Sequence, residues 1–320
     1  MSLFNYALRN IEEVVPWGDS LHWFGLTDGV YFMKVGEQTL FESSEEALQL
    51  WKKEYPSIDI SQHFVDYQVV RLYEDMLDIL PSILEPLPHN VFDLISSPER
   101  EKHWYSQLHN QYDRADESNN EWFDAYYEVT GWWGARHLST MHLCNAPKIV
   151  FWRVDNQIYI RWDNTENIDD GVAVWTATTG QISMTVDEFL NELHLFHNRL
   201  MNDMKERVER ISTNNPIPQV KIDIPRLIEE QKERERSLDL FLQQPAQATN
   251  WERIIDLHQL VNSSTKCNAV KKHGRRNKAK PFARSIVQFV HNCIQEIRID
   301  VRHRSLFGNV LANKTIGVFI

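Results

Sequence analysis

Cysteine is scarce in this chain. Its three residues, Cys144, Cys267 and Cys293, are odd in number and far apart, which argues against a disulfide framework and offers no zinc knuckle. The expected setting is therefore a reducing cytosol. No run approaches the roughly 18 uncharged apolar residues of a membrane helix, so no membrane contact is expected. The opening MSLFNYALRN lacks a basic stretch followed by an apolar run and a small-residue cleavage site, so no secretory signal is expected either. No internal repeat is visible. No motif names a reaction, and none implies a metal or another cofactor.

Aromatic side chains, by contrast, are abundant. Eleven tryptophans, ten tyrosines and fifteen phenylalanines in 320 residues are more than solvated linkers carry, so most of them belong in cores or contact faces. The formal charge of −11 also hides a division. From Ser263 onward twelve Lys and Arg stand against Glu296 and Asp300, giving +10. Residues 1–262 then hold 22 basic and 43 acidic side chains, giving −21. This divides the chain into an acidic body, 1–262, and a basic C-terminal extension, 263–320. An acidic body repels phosphates and suits a partner protein with a basic surface, or solubility alone.

Hydrophobic periodicity supplies the elements. Leu21 to Phe41 reads as a hairpin turning at Asp28-Gly29, and Val35-Gly36-Glu37-Gln38 reads as a second turn, which together make a three-stranded meander. Ser43 and Glu46 have capping-box spacing for a short helix stopped by Pro56. Val65, Val69, Leu72, Tyr73, Met76, Leu77 and Leu80 step by three and four, predicting a helix that Pro81, Pro86 and Pro88 end. Its other face carries Asp66, Arg71, Glu74, Asp75 and Asp78 as solvated charge, with Arg71 in reach of Glu74 or Asp75.

Ser97-Pro98-Glu99 starts a polar helix to about Tyr112, and Asp113 to Asn120 is a candidate linker before the aromatic stretch Trp122 to Trp133. Period two then predicts hairpins at Asp155-Asn156 and Thr179-Gly180 between Lys148 and Thr185. A second capping box, Thr185 with Glu188, opens a helix with an apolar stripe from Val186 to Ile211, about 27 residues or on the order of 40 Å. A charged helix spans Pro225 to about Leu242. Thr249 with Glu252 caps a short helix to Val261, and Ser263 to Pro281 reads as a loop. The expected fold is α+β: a mostly antiparallel sheet of about seven strands, covered by the helices at Val65 and Val186, with the basic segment appended.

The stretches Leu21 to Phe32, Val65 to Pro88, Ala146 to Arg153 and the long helix from Asp187 resemble a bacterial family of uncharacterised proteins known only as a domain of unknown function. The resemblance covers roughly Met1 to Trp251. It implies a bacterial cytosolic setting and transfers no catalytic residue.

Candidate sites follow from side-chain chemistry. His22 and Trp23 point to opposite faces if they lie on a strand, so one of them faces solvent or a partner. Trp132 and Trp133 with Arg136 and His137 could contact a ligand, by stacking on a planar group or by polar contact, though aromatic packing is the default. His137, His142 and Cys144 would serve a hydrolase, and His194 with His197, three apart on a helix, a metal enzyme. Neither set shows the third, orienting group or carboxylate ligand that such chemistry needs. The run containing Lys271, Lys272, Arg275, Arg276, Lys278 and Lys280 could contact nucleic-acid phosphates, but no aromatic platform interleaves it. Binding to a basic protein, as a regulatory or toxin-neutralising protein would do, stands ahead of catalysis and of nucleic-acid contact.

Overall fold

A computed structural model of the chain describes residues 2–16, 18–57, 60, 62–112, 120–243 and 248–268. The first sheet is built around a long central strand. β1 (Phe4–Leu8) lies along one edge of β2 (Asp28–Val35), while β3 (Gln38–Leu40) and β4 (Val65–Gln68) share the other edge at its opposite ends, all antiparallel. Residues along β2 alternate between half-exposed and buried, so Tyr31, Met33 and Val35 point into the core. The turn between β2 and β3 is the one expected, with Gly36 at φ +61°.

The expected hairpin turn at Asp28-Gly29 does not form. Residues 25–27 make a single 3-10 turn, Asp28 opens β2, and Gly29 lies within the strand opposite Leu8. A Cβ on Gly29 would sit 2.3 Å from the Ala7 carbonyl oxygen, so glycine is needed for close strand approach and not for a left-handed turn. His22 and Trp23 consequently lie before the strand, not on it.

α1 (Glu45–Glu54) is capped by Ser44, which accepts the Ala47 N–H at 3.1 Å. The expected cap, Ser43, instead bonds its own N–H to the His63 carbonyl. α2 (Val69–Leu84) starts after β4 and continues through Pro81. The missing N–H falls near the last turn, where Ile83 is fully buried, so packing holds the final residues helical. α3 (His89–Ile95), α4 (Pro98–Tyr112) and α5 (Asn120–Gly134) follow. The candidate linker lies largely outside the described residues.

The second sheet has the order β5-β6-β9, formed by Ile149–Val154, Gln157–Asp163 and Thr179–Thr185. Its first hairpin turns at Asp155-Asn156 as expected, with Asp155 at φ +50°. Thr179-Gly180 is not a turn. Gly180 pairs with Trp162 across the β6–β9 ladder, and a Cβ there would lie 2.2 Å from the indole. The turn lies upstream, at Asp170-Gly171, with φ +46° and +81°, between β7 (Ile168–Asp169) and β8 (Val172–Ala173). Positive φ at both central residues is what a tight hairpin turn requires.

α6 (Val186–Thr213) begins at the expected capping box of Thr185 and Glu188. It packs against α7 (Ile224–Arg234), and α8 (Ser237–Gln243) touches α2, so the single charged helix expected at 225–242 is two helices with a break at 235–236. α9 (Trp251–Asn268) runs past Val261, where a loop was expected. Its N-cap is Asn250, not Thr249.

Among the described residues the expected seven-stranded sheet is thus three sheets of four, three and two strands. The reason is that α2 touches β2, β4 and β5, while α6 touches β1, β6 and β9, so these helices meet strands of both larger sheets. β5 separates two cores. Ile149 and Phe151 face the core shared with the first sheet, α2 and α6; Val150, Trp152 and Val154 face a second core made by α3, α4, α5 and α9. No helix among the described residues is long and apolar enough to cross a membrane.

Candidate functional site

Asp75 departs most from its sequence reading. It belongs to the α2 strip expected to be solvated, yet its side chain is 1% exposed. The anticipated partner is present: Arg71 Nε donates to Asp75 Oδ2 at 3.2 Å, and Arg71 Nη2 lies 2.9 Å from Oδ1. What covers the carboxyl is His142, carried by the segment before β5. Its Nδ1 stands 3.8 Å from Asp75 Oδ2, too far for a hydrogen bond, and has no other hydrogen-bond partner. The other ring nitrogen, Nε2, is 3.1 Å from the Tyr31 hydroxyl, and Tyr67 lies against the ring with centroids 4.8 Å apart.

Burial moves these groups in opposite directions. It pushes the Asp75 carboxyl up to about 7 against the pull of Arg71, with a smaller push from Asp78. It pushes the His142 imidazole down to about 4, with Arg71 adding to the fall. The Tyr31 phenol is driven well above its ordinary range by burial, so it keeps its hydrogen, and its hydroxyl shares a hydrogen bond with His142 Nε2. Nε2 is satisfied at that hydroxyl by either tautomer, and the one that donates from Nε2 turns a bare Nδ1 toward Asp75. Two titratable groups with displaced and opposed affinities, in contact, are the arrangement expected of a functional proton site.

The residues singled out in the sequence are dispersed. Trp23 is fully buried, donates to Gln231 Oε1 at 2.8 Å and lies under the Arg234 guanidinium, 4.2 Å from its ring. His22 lines an open groove of about 500 Å³ with Ser20, Lys221 and Asp223. Trp132, Trp133 and Arg136 belong instead to the second core. Arg136 is 1% exposed, lies against both Trp132 and Trp251, and donates to Glu85 at 3.1 Å and to the Trp132 carbonyl. Glu85 in turn accepts the N–H and hydroxyl of Thr249, which ties α9 to the end of α2. His137 packs edge-on to Trp133, within 3.0 Å of its carbonyl, and burial lowers its affinity for protons.

The hydrolase trio is not assembled as expected. His137 lies in the aromatic core, His142 faces Asp75 of α2, and Cys144 is exposed. At the other histidine pair, His197 Nδ1 is 2.7 Å from the Tyr73 hydroxyl and Nε2 is 3.2 Å from the Glu235 carbonyl, so both ring nitrogens are engaged. Among the described residues no three His, Cys, Asp or Glu gather to hold a metal. The basic residues Lys271, Lys272, Arg275, Arg276, Lys278 and Lys280 lie outside the described residues.

The family comparison is decided by extent. Residues 3–257 match a group described as Family of unknown function (DUF5984), most of the chain. The chain belongs to DUF5984. No curated protein and no solved structure matches it. The DUF5984 region takes in both larger sheets, Asp75, His142 and the Arg136–Glu85 pair; it reaches α9 as far as Leu257, whose side chain packs on the second core.

Within DUF5984 a second feature assembles from distant segments. α1 packs on β8; Ser44 bonds the Ala173 carbonyl, Trp51 Nε1 donates to Asp169 at 2.9 Å, and Thr176 donates to Glu42. The elements so joined carry Glu42, Glu45, Glu46, Glu166, Asp169 and Asp170. Ile168, on β7, is 54% exposed among them. Lys148 lies 2.7 Å from Glu166, which Lys102 also attracts from farther off, His63 stands 4.0 Å from Glu45, and the last turn of α1 carries Lys52 and Lys53.

Proposed function

We propose that this protein acts by binding a partner with a basic surface, and that the partner lands where α1 meets the β7–β8 ribbon. The observation that carries the reading is the joining of carboxylates from segments over 120 positions apart around an exposed isoleucine. Interfaces place an apolar contact inside a polar rim, and a field of one sign speeds encounter with its opposite. The acidic balance of residues 1–262 supports the same direction of attraction.

The test is capture of binding proteins at low ionic strength by the full chain, by a variant carrying Glu45→Lys, Glu166→Lys and Asp170→Lys, and by a control carrying Glu206→Lys and Glu209→Lys on exposed α6 positions. A basic protein is expected on the wild type and the control, released by salt, and absent from the triple variant. Equal capture by all three chains, or none by any, counts against the reading.

A further inference from the structure

The contact between Asp75 and His142 is not explained by packing. Asp75 Oδ1 is buried without a hydrogen bond although it lies beside Arg71, and His142 Nδ1 is buried without one 3.8 Å from the other carboxyl oxygen. Native interiors leave few such atoms unanswered, and those that persist call for a reason. A proton placed between Nδ1 and Oδ2 would answer the nitrogen and bind it to the carboxyl, leaving Oδ1 to the Arg71 guanidinium 2.9 Å away.

The geometry points to a shared-proton latch: Asp75 and His142 hold one proton between them, and while they hold it the segment carrying His142 stays seated on α2. With one proton the pair is uncharged as carboxyl and imidazole, or balanced as carboxylate and imidazolium, and the second form draws the two into a charge-assisted hydrogen bond. Without the proton, the carboxylate is answered by Arg71 alone. With a second proton, a buried imidazolium faces Arg71 with no anion beside it, a costly arrangement.

The other groups facing the pair leave this balance to the two of them. On α2, Arg71 holds the carboxyl, Glu74 is engaged by Arg234 at 2.7 Å, and Asp78 is exposed. On β2 the Tyr31 hydroxyl fixes the far side of the ring, and on β4 Tyr67 covers its face. The directions in which burial moves the two groups define an interval, from about 4 to about 7, in which one proton is held. The far end of the segment is anchored separately. The Asn145 carbonyl accepts from Trp175 Nε1 and Asn167 Nδ2, so release at His142 leaves the segment hinged beside the β7–β8 ribbon.

The proposal is independent of the partner-binding reading and is tested on the free, full chain. Imidazole nitrogen shifts of His142 and the carboxyl carbon shift of Asp75 are followed through a pH titration by NMR. Both are expected to move in one common step near the upper end of the interval, and Asp75→Asn is expected to abolish that step for His142. Protection of the Leu143 amide, whose N–H donates to the Thr140 carbonyl at 2.9 Å, measured against the intrinsic exchange rate at each pH, is expected to fall about tenfold below the interval. A His142 that stays silent while Asp75 titrates overturns the sharing, and the wild type alone decides this if the variant fails to fold. Protection at Leu143 that is the same within and below the interval overturns the latch.

Discussion

Substituting one member of the Asp75–His142 pair at a time should reveal a pH dependence that the intact pair conceals. Unfolded, the two groups titrate at their ordinary 3.8 and 6.5; folded, the pair titrates near 4 and near 7. Both states therefore bind nearly the same number of protons at every pH, and the pair contributes almost no slope to stability. Asp75→Asn leaves only the histidine. Its folded value lies below its unfolded one, so its stabilising contribution is complete above 6.5 and is lost as pH falls toward about 4. The slope is about 1.4 kcal/mol per pH unit, for a total of about 3 kcal/mol. His142→Gln leaves only the carboxyl. Its folded value is raised, so its contribution is complete below 3.8 and is lost as pH rises toward about 7, a total of about 4 kcal/mol. Urea unfolding at a series of pH values between these limits measures both, and subtracting the wild-type curve removes the other titrating groups. The two difference curves should slope in opposite senses. Curves parallel to wild type, or sloping the same way, would refute the opposed burial of the two groups.

Two further substitutions test the architecture. Glu85→Gln strands the buried Arg136 guanidinium and should cost about 3–5 kcal/mol in denaturant unfolding, whereas Glu128→Gln, which breaks an ion pair to a 60% exposed Arg253, should change stability by less than about 1 kcal/mol. Similar losses in both would show that burial does not set the difference. Gly180→Ala drives a methyl group into Trp162, which is 2% exposed and has no room to yield, and should lower stability by about 1–3 kcal/mol. A neutral result would mean that β9 can move away from β6.

The sequence contains two Asp-Gly pairs, and they show which signals were legible. Asp28-Gly29 satisfies the hairpin pattern and is strand; Asp170-Gly171, outside the expected hairpins, turns. The dipeptide permits a left-handed backbone without requiring it, and the glycine of the first pair answers a steric demand from β1, a partner whose position no local pattern discloses. Local signals succeeded where the cause was local. The Thr185–Glu188 box, the Ser97 helix start, the Arg71–Asp75 pair and the Asp155-Asn156 hairpin all depend on neighbours within a few residues.

Asp75 failed for the opposite reason. Helical spacing places it beside Arg71, Glu74 and Asp78, and the group that buries it arrives from His142, 67 positions later in the chain. The aromatic stretch at Trp132 and Trp133 was correctly expected to pack, but its partners Trp104, Trp152 and Trp251 come from three other elements. A buried arginine among them was outside what periodicity predicts.

The position of β5 also bears on the order in which the chain is made. The 148 residues preceding it include the first sheet, α2 and the aromatic helix α5, but neither core has its dividing wall until β5 and β6 have left the ribosome. The first core waits longer still, for α8, whose Leu238 it buries, and the second waits longest, for α9, whose Ile254 it buries. At about 5–20 residues per second, the nascent chain spends several seconds with tryptophan-rich surfaces uncovered. A strand buried on both faces therefore makes the two halves interdependent in synthesis: each core takes one face of β5 as its wall, so neither can be completed before β5 is made.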